Sequence, residues 1–391
     1  MIPDLRKRFN EQFTETAYNN FLNDLNSSLK YPTDFRVSET PLFLSDELNK
    51  ELELACDDLI NQIKSEHFKE NSLKAVPSQL NVFGESDHPV FLQIDFAICK
   101  NDDGSFIPQL IELQGFPSLY GYQAFFNDKI RKYFEIPNNF QSYFSGYDLN
   151  SYQQFLREII VGNENPENVI LMEIHPEEQK TRIDFAATER LTGIKTTCLT
   201  KIIKRSNKLY YPENGKEVPI KRIYNRVIFD ELERKNLKFN FDFRDEIDVE
   251  WVGHPNWFFR ISKHSLPILK GKYVPHCYYL SDLQSIPDDL HNYVLKPLFS
   301  FAGLGVDVGP TKEKLNKIEG KNNYILQQKI EYAPLIETPD EPSKVEIRMM
   351  FLWDKEPVLV NNLIRMSKGK MMGVDFNKNK TWVGSSIAFH P

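Results

Sequence analysis

Glu112 and Gln114 stand two apart at the end of the alternating stretch FIPQLIELQG, just ahead of a Gly-Phe-Pro turn. Residues two apart on a strand face the same side, so a carboxylate and an amide converge there. The preceding run PVFLQIDFAICK carries Asp95 and is joined to it by the short turn NDDGS, so a hairpin brings all three side chains together. Such oxygen ligands suit Mg²⁺, a hard ion that keeps several waters and relies on substrate phosphates for the rest of its shell. Taken alone, the pair also reads as polar residues at a solvent-facing strand end. A second stretch shifts that balance towards a metal site.

That stretch is YVLKPLFSFAGLGVDVGP, residues 293–310. Lys296 closes a strand, and Gly303 and Gly305 let backbone N–H groups approach a polyphosphate beside a fixed positive charge. Neither GxxxxGK[ST] nor a helix-opening GxGxxG is present, so this is not a Walker or dinucleotide loop. Upstream, Lys263 falls on an expected helix ending at Gly271 before Pro275, and downstream YILQQKI offers backbone groups to an adenine edge. Two lysines, a glycine loop and a strand leading to a hinge describe a nucleotide cleft between two small lobes.

These motifs resemble the ATP-grasp fold. Gln327, Gln328 and Ile330 in QQKI look like its hinge, Glu346-Ile347-Arg348 like its acid-x-Arg strand, and Arg365 in LIRMSKGKMMG like its active-site arginine. The Asp95, Glu112 and Gln114 layout precedes the glycine loop, which is the order of the circularly permuted members, eukaryotic-type glutathione synthetase and glutathionylspermidine synthetase. The middle of the chain, VILMEI, RIDFAATERLTGIKT and KLYYPENGKEVPIKRIYNR, is similar to their substrate domain, and the likeness covers about 88–391. It implies ATP and Mg²⁺ as cofactors: Lys263, Lys296, Gly303, Gly305, Gln327, Gln328 and Ile330 would bind ATP, and Asp95, Glu112 and Gln114 the metal. Lys296, Arg348 and Arg365 would be catalytic.

The implied activity is ATP-dependent joining of a small-molecule or peptide carboxylate to an amine through an acyl phosphate. Arginine forks match phosphate and carboxylate oxygens and offset charge on a transferring phosphoryl group; as isolated residues, Arg348 and Arg365 also read as strand-flanking surface cations. Arg226 in YNR and Arg182 in KTRIDF are candidates for holding an anionic acceptor at the C-terminal ends of the central sheet. Gln114 replaces the usual Asn, and Ser300 stands where the related loop carries an acid. Both departures motivate a second expectation, a catalytically inactive ATP-binding scaffold. Phosphoryl transfer to a non-carboxylate acceptor is a third.

The elements that must position these residues follow from periodicity. Residues 1–87 read as an N-terminal helical segment and 88–149 as the permuted metal-binding part. The alternation of apolar strands and helices over 150–255 predicts a Rossmann-like substrate domain, and 256–391 the nucleotide-binding lobes, giving an α/β fold overall. The 391 residues, 41% hydrophobic, suffice for more than one core. A formal charge of −7, from 48 basic and 55 acidic residues without a basic stripe, argues against nucleic acid and for small-molecule partners. Cys56, Cys99, Cys198 and Cys277 lack disulfide or metal spacing. No signal segment or membrane span is apparent, so a cytoplasmic protein is expected. His175 and His254 read as structural or solvent-facing, and oligomeric state is not legible.

Overall fold

The computed structural model describes residues 2–299, 305–369 and 371–391. PVFLQIDFAICK and FIPQLIELQ form the expected hairpin, Phe91–Lys100 and Phe106–Gln114, closed where Asn101 N–H donates to the Ser105 carbonyl. The hairpin joins an antiparallel five-stranded sheet in the order Gly384–Ser386, Pro357–Ser367, Lys344–Trp353, Phe91–Lys100, Phe106–Gln114. Asp95 therefore lies opposite Arg348, a residue 253 positions later in the chain. On one face of this sheet Leu92, Ile94, Phe96 and Ile98 enter a core shared with the helix Asp46–Lys64, whose Leu48, Leu52, Cys56, Leu59 and Ile63 recur at helical spacing. Gln93, Asp95 and Ala97 alternate to the other face.

A second antiparallel sheet, ordered Cys277–Tyr279, Tyr324–Gln328, Tyr293–Pro297, Asp307–Val308, carries Lys296 and the start of the hinge. Between these two sheets in sequence lies the parallel sheet expected over 150–255, ordered Glu250–Val252, Arg222–Asn225, Val169–Glu173, Lys195–Cys198. The helix Arg182–Thr192 makes one of its crossovers, and an antiparallel excursion, Ile203–Arg205, Lys208–Glu213, Lys216–Ile220, makes another.

The N-terminal segment is helical as its spacing predicts, with Pro3–Gln12, Glu15–Ser27, Asp46–Lys64 and Glu66–Ser72. The Ser45 hydroxyl caps the third by accepting from Leu48 N–H. Leu42–Phe43 pairs in parallel with Ala388–Phe389, so the early chain is stitched to its last residues. One expectation changes: the single helix through Lys263 is two short pieces, an α-helix Asn256–Arg260 and a 3₁₀ turn Lys263–Ile268. Ser262 is extended there, and its hydroxyl accepts from His264 N–H, starting a new turn rather than continuing the old one. Among the described residues, no helix is long and apolar enough to cross a membrane.

Candidate active-site cavity

The polar face of the five-stranded sheet carries a row of charges. Glu112 lies opposite Asp95, Asp95 opposite Arg348, and in a neighbouring row Glu346 lies opposite Arg365. Two carboxylates directly across a strand pair repel, and the arginines offset this. Arg348 Nε and Nη2 donate to the two Asp95 oxygens at 2.7 Å each, a bidentate fork in which Asp95 is fully buried. Arg365 Nη2 reaches Asp95 Oδ2 at 3.3 Å and also pairs with Glu346. Although burial works against their charge, Arg348 is held above its ordinary value by Asp95, and Arg365 by Glu346, Asp95 and Glu112.

Glu112 stands at the mouth of this network. Gln114 Nε2 donates to Glu112 Oε1 at 2.9 Å, and Lys263 Nζ lies 3.7 Å from Oε2. Burial alone would raise its pKa, but Lys263, Arg365, Lys296 and Arg348 together outweigh it and hold Glu112 well below the usual carboxylate range. Glu346 shifts the opposite way: burial raises it, Asp95 and Glu112 add to the rise, and Arg365 only partly opposes. Burial also lowers Lys296, with Glu112 pulling it back towards charge.

Local backbone features bring these groups together. A register shift between Asp95 and Phe96 skips Ile111, whose carbonyl accepts from Lys296 Nζ at 3.3 Å, tying the two antiparallel sheets together beside Glu112. At Gly115 a Cβ would meet the Trp257 carbonyl at 2.5 Å and Ile261 Cβ at 2.7 Å, so only glycine lets this strand end close on the segment leading to Lys263. Gly115 N–H donates to the Ile261 carbonyl there.

The result is a cavity of about 760 Å³ walled by both antiparallel sheets. Of the expected residues, Glu112, Gln114, Lys263, Lys296, Gln327, Gln328, Ile330 and Arg365 line it. Six cationic side chains, Lys180, Lys263, Lys296, Lys329, Lys344 and Arg365, face three carboxylates, Glu112, Glu331 and Glu346, which favours an anionic occupant. The N–H groups of Gln328 and Lys329 already donate to the His276 and Asn292 carbonyls. These two N–H groups are therefore already used within the fold.

Five expected residues of the described chain, Asp95, Arg348, Arg182, Arg226 and Gly305, are not part of the lining. Asp95 does not line the cavity, because both its oxygens are taken by arginine; Arg348 sits behind the wall with it. Arg182 is drawn away by the Glu177 carbonyl at 2.8 Å and Asp34 at 3.5 Å, and its neighbour Lys180 lines the cavity instead. Arg226 is buried at the C-terminal end of a parallel strand, stacked on the rings of Phe116 and Phe185, and its Nε and Nη1 have no hydrogen-bond partner. Gly305, at φ 74°, belongs to the described chain, whereas Gly303 and Ser300 lie outside it. Glu346 is the acid that spacing could have added to the site, since it faces the same side as Arg348; Met371, Met372 and Phe376 follow Arg365 in a loop with no periodic signal. Among the described residues no group of three or more His, Cys, Asp or Glu side chains is arranged to hold a metal ion.

No family model matches the chain, and no curated protein matches it either. Among solved structures it is similar to a glutathione synthetase-like effector, GSS30, from Globodera pallida in its apo form. Identity is 12%, the match covers 90% of this chain and 93% of that one, and the TM-score is 0.57. This likeness, spanning nearly the whole of both chains, shows a glutathione synthetase-like fold built of mixed α/β layers.

Proposed function

We propose that this protein is an ATP-dependent carboxylate–amine ligase of the permuted ATP-grasp type, acting on a small-molecule or peptide acid. The observation that carries the reading is the gathering of Lys263, Lys296 and Arg365 around Glu112 in one cavity beside the segment 327–330. Lys263 and Lys296 hold the phosphates, while Gln327, Gln328 and Ile330 line the base end. A substrate carboxylate oxygen attacks the γ-phosphorus, ADP leaves, and the acyl phosphate is captured by an amine with loss of phosphate. Arg365 stabilises the charge that builds on the transferring group. Arg348 is a positioning residue: through Asp95 it fixes where Arg365 points. Lys180 takes the part expected of Arg182, and Arg226, stacked on the Phe116 ring that lines the cavity, supports that wall from behind.

Magnesium fits the donor set, since one ionised carboxylate at Glu112 and the Gln114 amide oxygen are hard ligands that phosphate oxygens and water complete. When bound it neutralises the phosphate charge. Gln114 must turn its oxygen rather than its Nε2 towards the ion, and Asp95 contributes by ordering the arginines. Measuring ADP release against panels of acids and amines tests the reading. We expect stimulated release that Glu112→Ala lowers by at least about 100-fold. No stimulated release by any pair, with no Mg·ATP thermal shift, overturns it.

A second reading, an ATP-binding module without turnover, is favoured by one observation: Asp95 is committed to arginine and Gln114 to Glu112. Mg·ATP binding with no ADP release from any acceptor distinguishes it, and phosphorus NMR separates phosphoryl transfer to a non-carboxylate.

A further inference from the structure

Of the large apolar side chains most exposed among the described residues, Leu54, Leu73, Phe83, Tyr278 and Phe376, only Phe376 lines the cavity. It is 46% exposed. It belongs to the loop between Ser367 and Asn377, which also puts Met371 and Met372 on the cavity wall. An exposed ring on a floppy loop would mean little, but this loop is knotted. The buried Asn377 side chain accepts from the Ser367 hydroxyl and from the N–H groups of Lys368 and Gly369, and donates to the carbonyls of Met371 and Gly373. At Gly369 a Cβ would sit 2.2 Å from the Phe376 carbonyl, so the glycine is what allows the loop to fold back on itself. Both ends are anchored to one neighbouring turn, by Lys368 on Asp340 and by Lys380 on Glu341. Phe376 is thus presented in a fixed place, at a conformational cost already met in folding.

Phe116, Phe258 and Phe299 also line the cavity, as does Lys180 of the parallel-sheet unit. The hinge-side wall is lined by small aliphatic residues instead, Val294, Val306 and Val308.

We propose that Phe376, Met371 and Met372, tied in place through Asn377, are the specificity element for the acid substrate, and that the acid has an aromatic or branched aliphatic body seated under them. This rests on the ligase reading above. Methionines adapt to irregular apolar shapes, and Phe376 supplies a ring face for stacking. An acid without such a body leaves these three side chains without a partner and gains nothing from them. Asn377 is the positioning residue of the device.

The test measures binding of 3-phenylpropionate, 4-methylpentanoate and propionate to the full chain with Mg²⁺ and a non-hydrolysable ATP analogue, alongside ADP release with amines. The expected order is the two larger acids ahead of propionate by about tenfold or more, the scale of apolar pocket discrimination. Phe376→Ala removes that preference while the nucleotide affinity stays within about twofold, since Lys263 and Lys296, the phosphate-holding cations, are unchanged. Asn377→Ala raises KM for the acid more than it lowers kcat. Propionate binding as well as the two larger acids, or Phe376→Ala weakening nucleotide rather than acid, overturns the proposal. Apolar acids that bind in the expected order without any ADP release uphold the loop's role and sink the ligase reading, so the two fail separately.

Discussion

Asp95 illustrates how far a single residue type can mislead about its task. Its place in the hairpin is that of a metal ligand, yet both its oxygens lie 2.7 Å from the guanidinium nitrogens of Arg348. Strand spacing predicts which side chains share a face, and Glu112 and Gln114 were legible for that reason. What spacing leaves open is the cross-sheet partner, and Arg348 lies 253 residues from Asp95. The competing roles have different signatures. Removing one member of a buried ion pair strands the other charge and costs roughly 3–5 kcal/mol. Asp95→Asn should therefore lower the denaturation midpoint sharply while leaving the Mg²⁺ concentration for half-maximal ATP binding nearly unchanged. Glu112→Gln should shift the Mg²⁺ dependence strongly with a smaller loss of stability, since the cations that hold Glu112 ionised lose their partner at a cavity wall that water reaches. A shift in Mg²⁺ dependence for Asp95→Asn at unaltered stability would restore the ligand role.

At the scale of elements, the parallel sheet ends in charges that its apolar run did not advertise. VILMEI forms the strand Val169–Glu173, and the run predicted burial correctly, but Glu173 is carried into the interior with it. Burial pushes its carboxyl up from 4.5 to about 8, against the pull of Arg226 on the next strand. Between those values the folded chain holds a proton that the unfolded chain has released. Stability contributed by that proton is complete below about 4.5 and is lost as pH rises through about 8. Melting temperatures of the native chain and Glu173→Gln, followed from pH 5 to pH 9, should diverge in favour of the variant as pH rises. Parallel curves would mean that Glu173 is ionised in the fold and paired with Arg226. The broken helix at Lys263 belongs to the same scale: apolar periodicity runs through Ile261 and Ser262, and only the capping hydroxyl of Ser262 marks the stop.

For the molecule as a whole, the hairpin and helices were legible because amphipathic periods report faces, whereas the closure of the chain on itself was not, because two-residue strands carry no period. Leu42–Phe43 and Ala388–Phe389 form such a closure. Leu42 N–H donates to the Ile387 carbonyl and Leu44 N–H to that of Phe389. Ile387, Ala388 and Phe389 are fully buried, and Phe389 shares a core with Phe9, Phe21 and Phe43 of the N-terminal layer and with Phe126 and Phe140. The same final segment supplies Gly384–Ser386, the edge strand beside Arg365. Burying an isoleucine and a phenylalanine contributes about 2–3 kcal/mol each, a large part of a net stability on the order of 5–15 kcal/mol. Ending the chain after Val383 should therefore remove the edge of the site and the seal of the N-terminal layer together. The expected product is an aggregating or non-cooperatively melting protein without Mg·ATP binding. A truncated chain that melts within about 3 °C of the full one would show that the N-terminal layer holds the sheet without this closure.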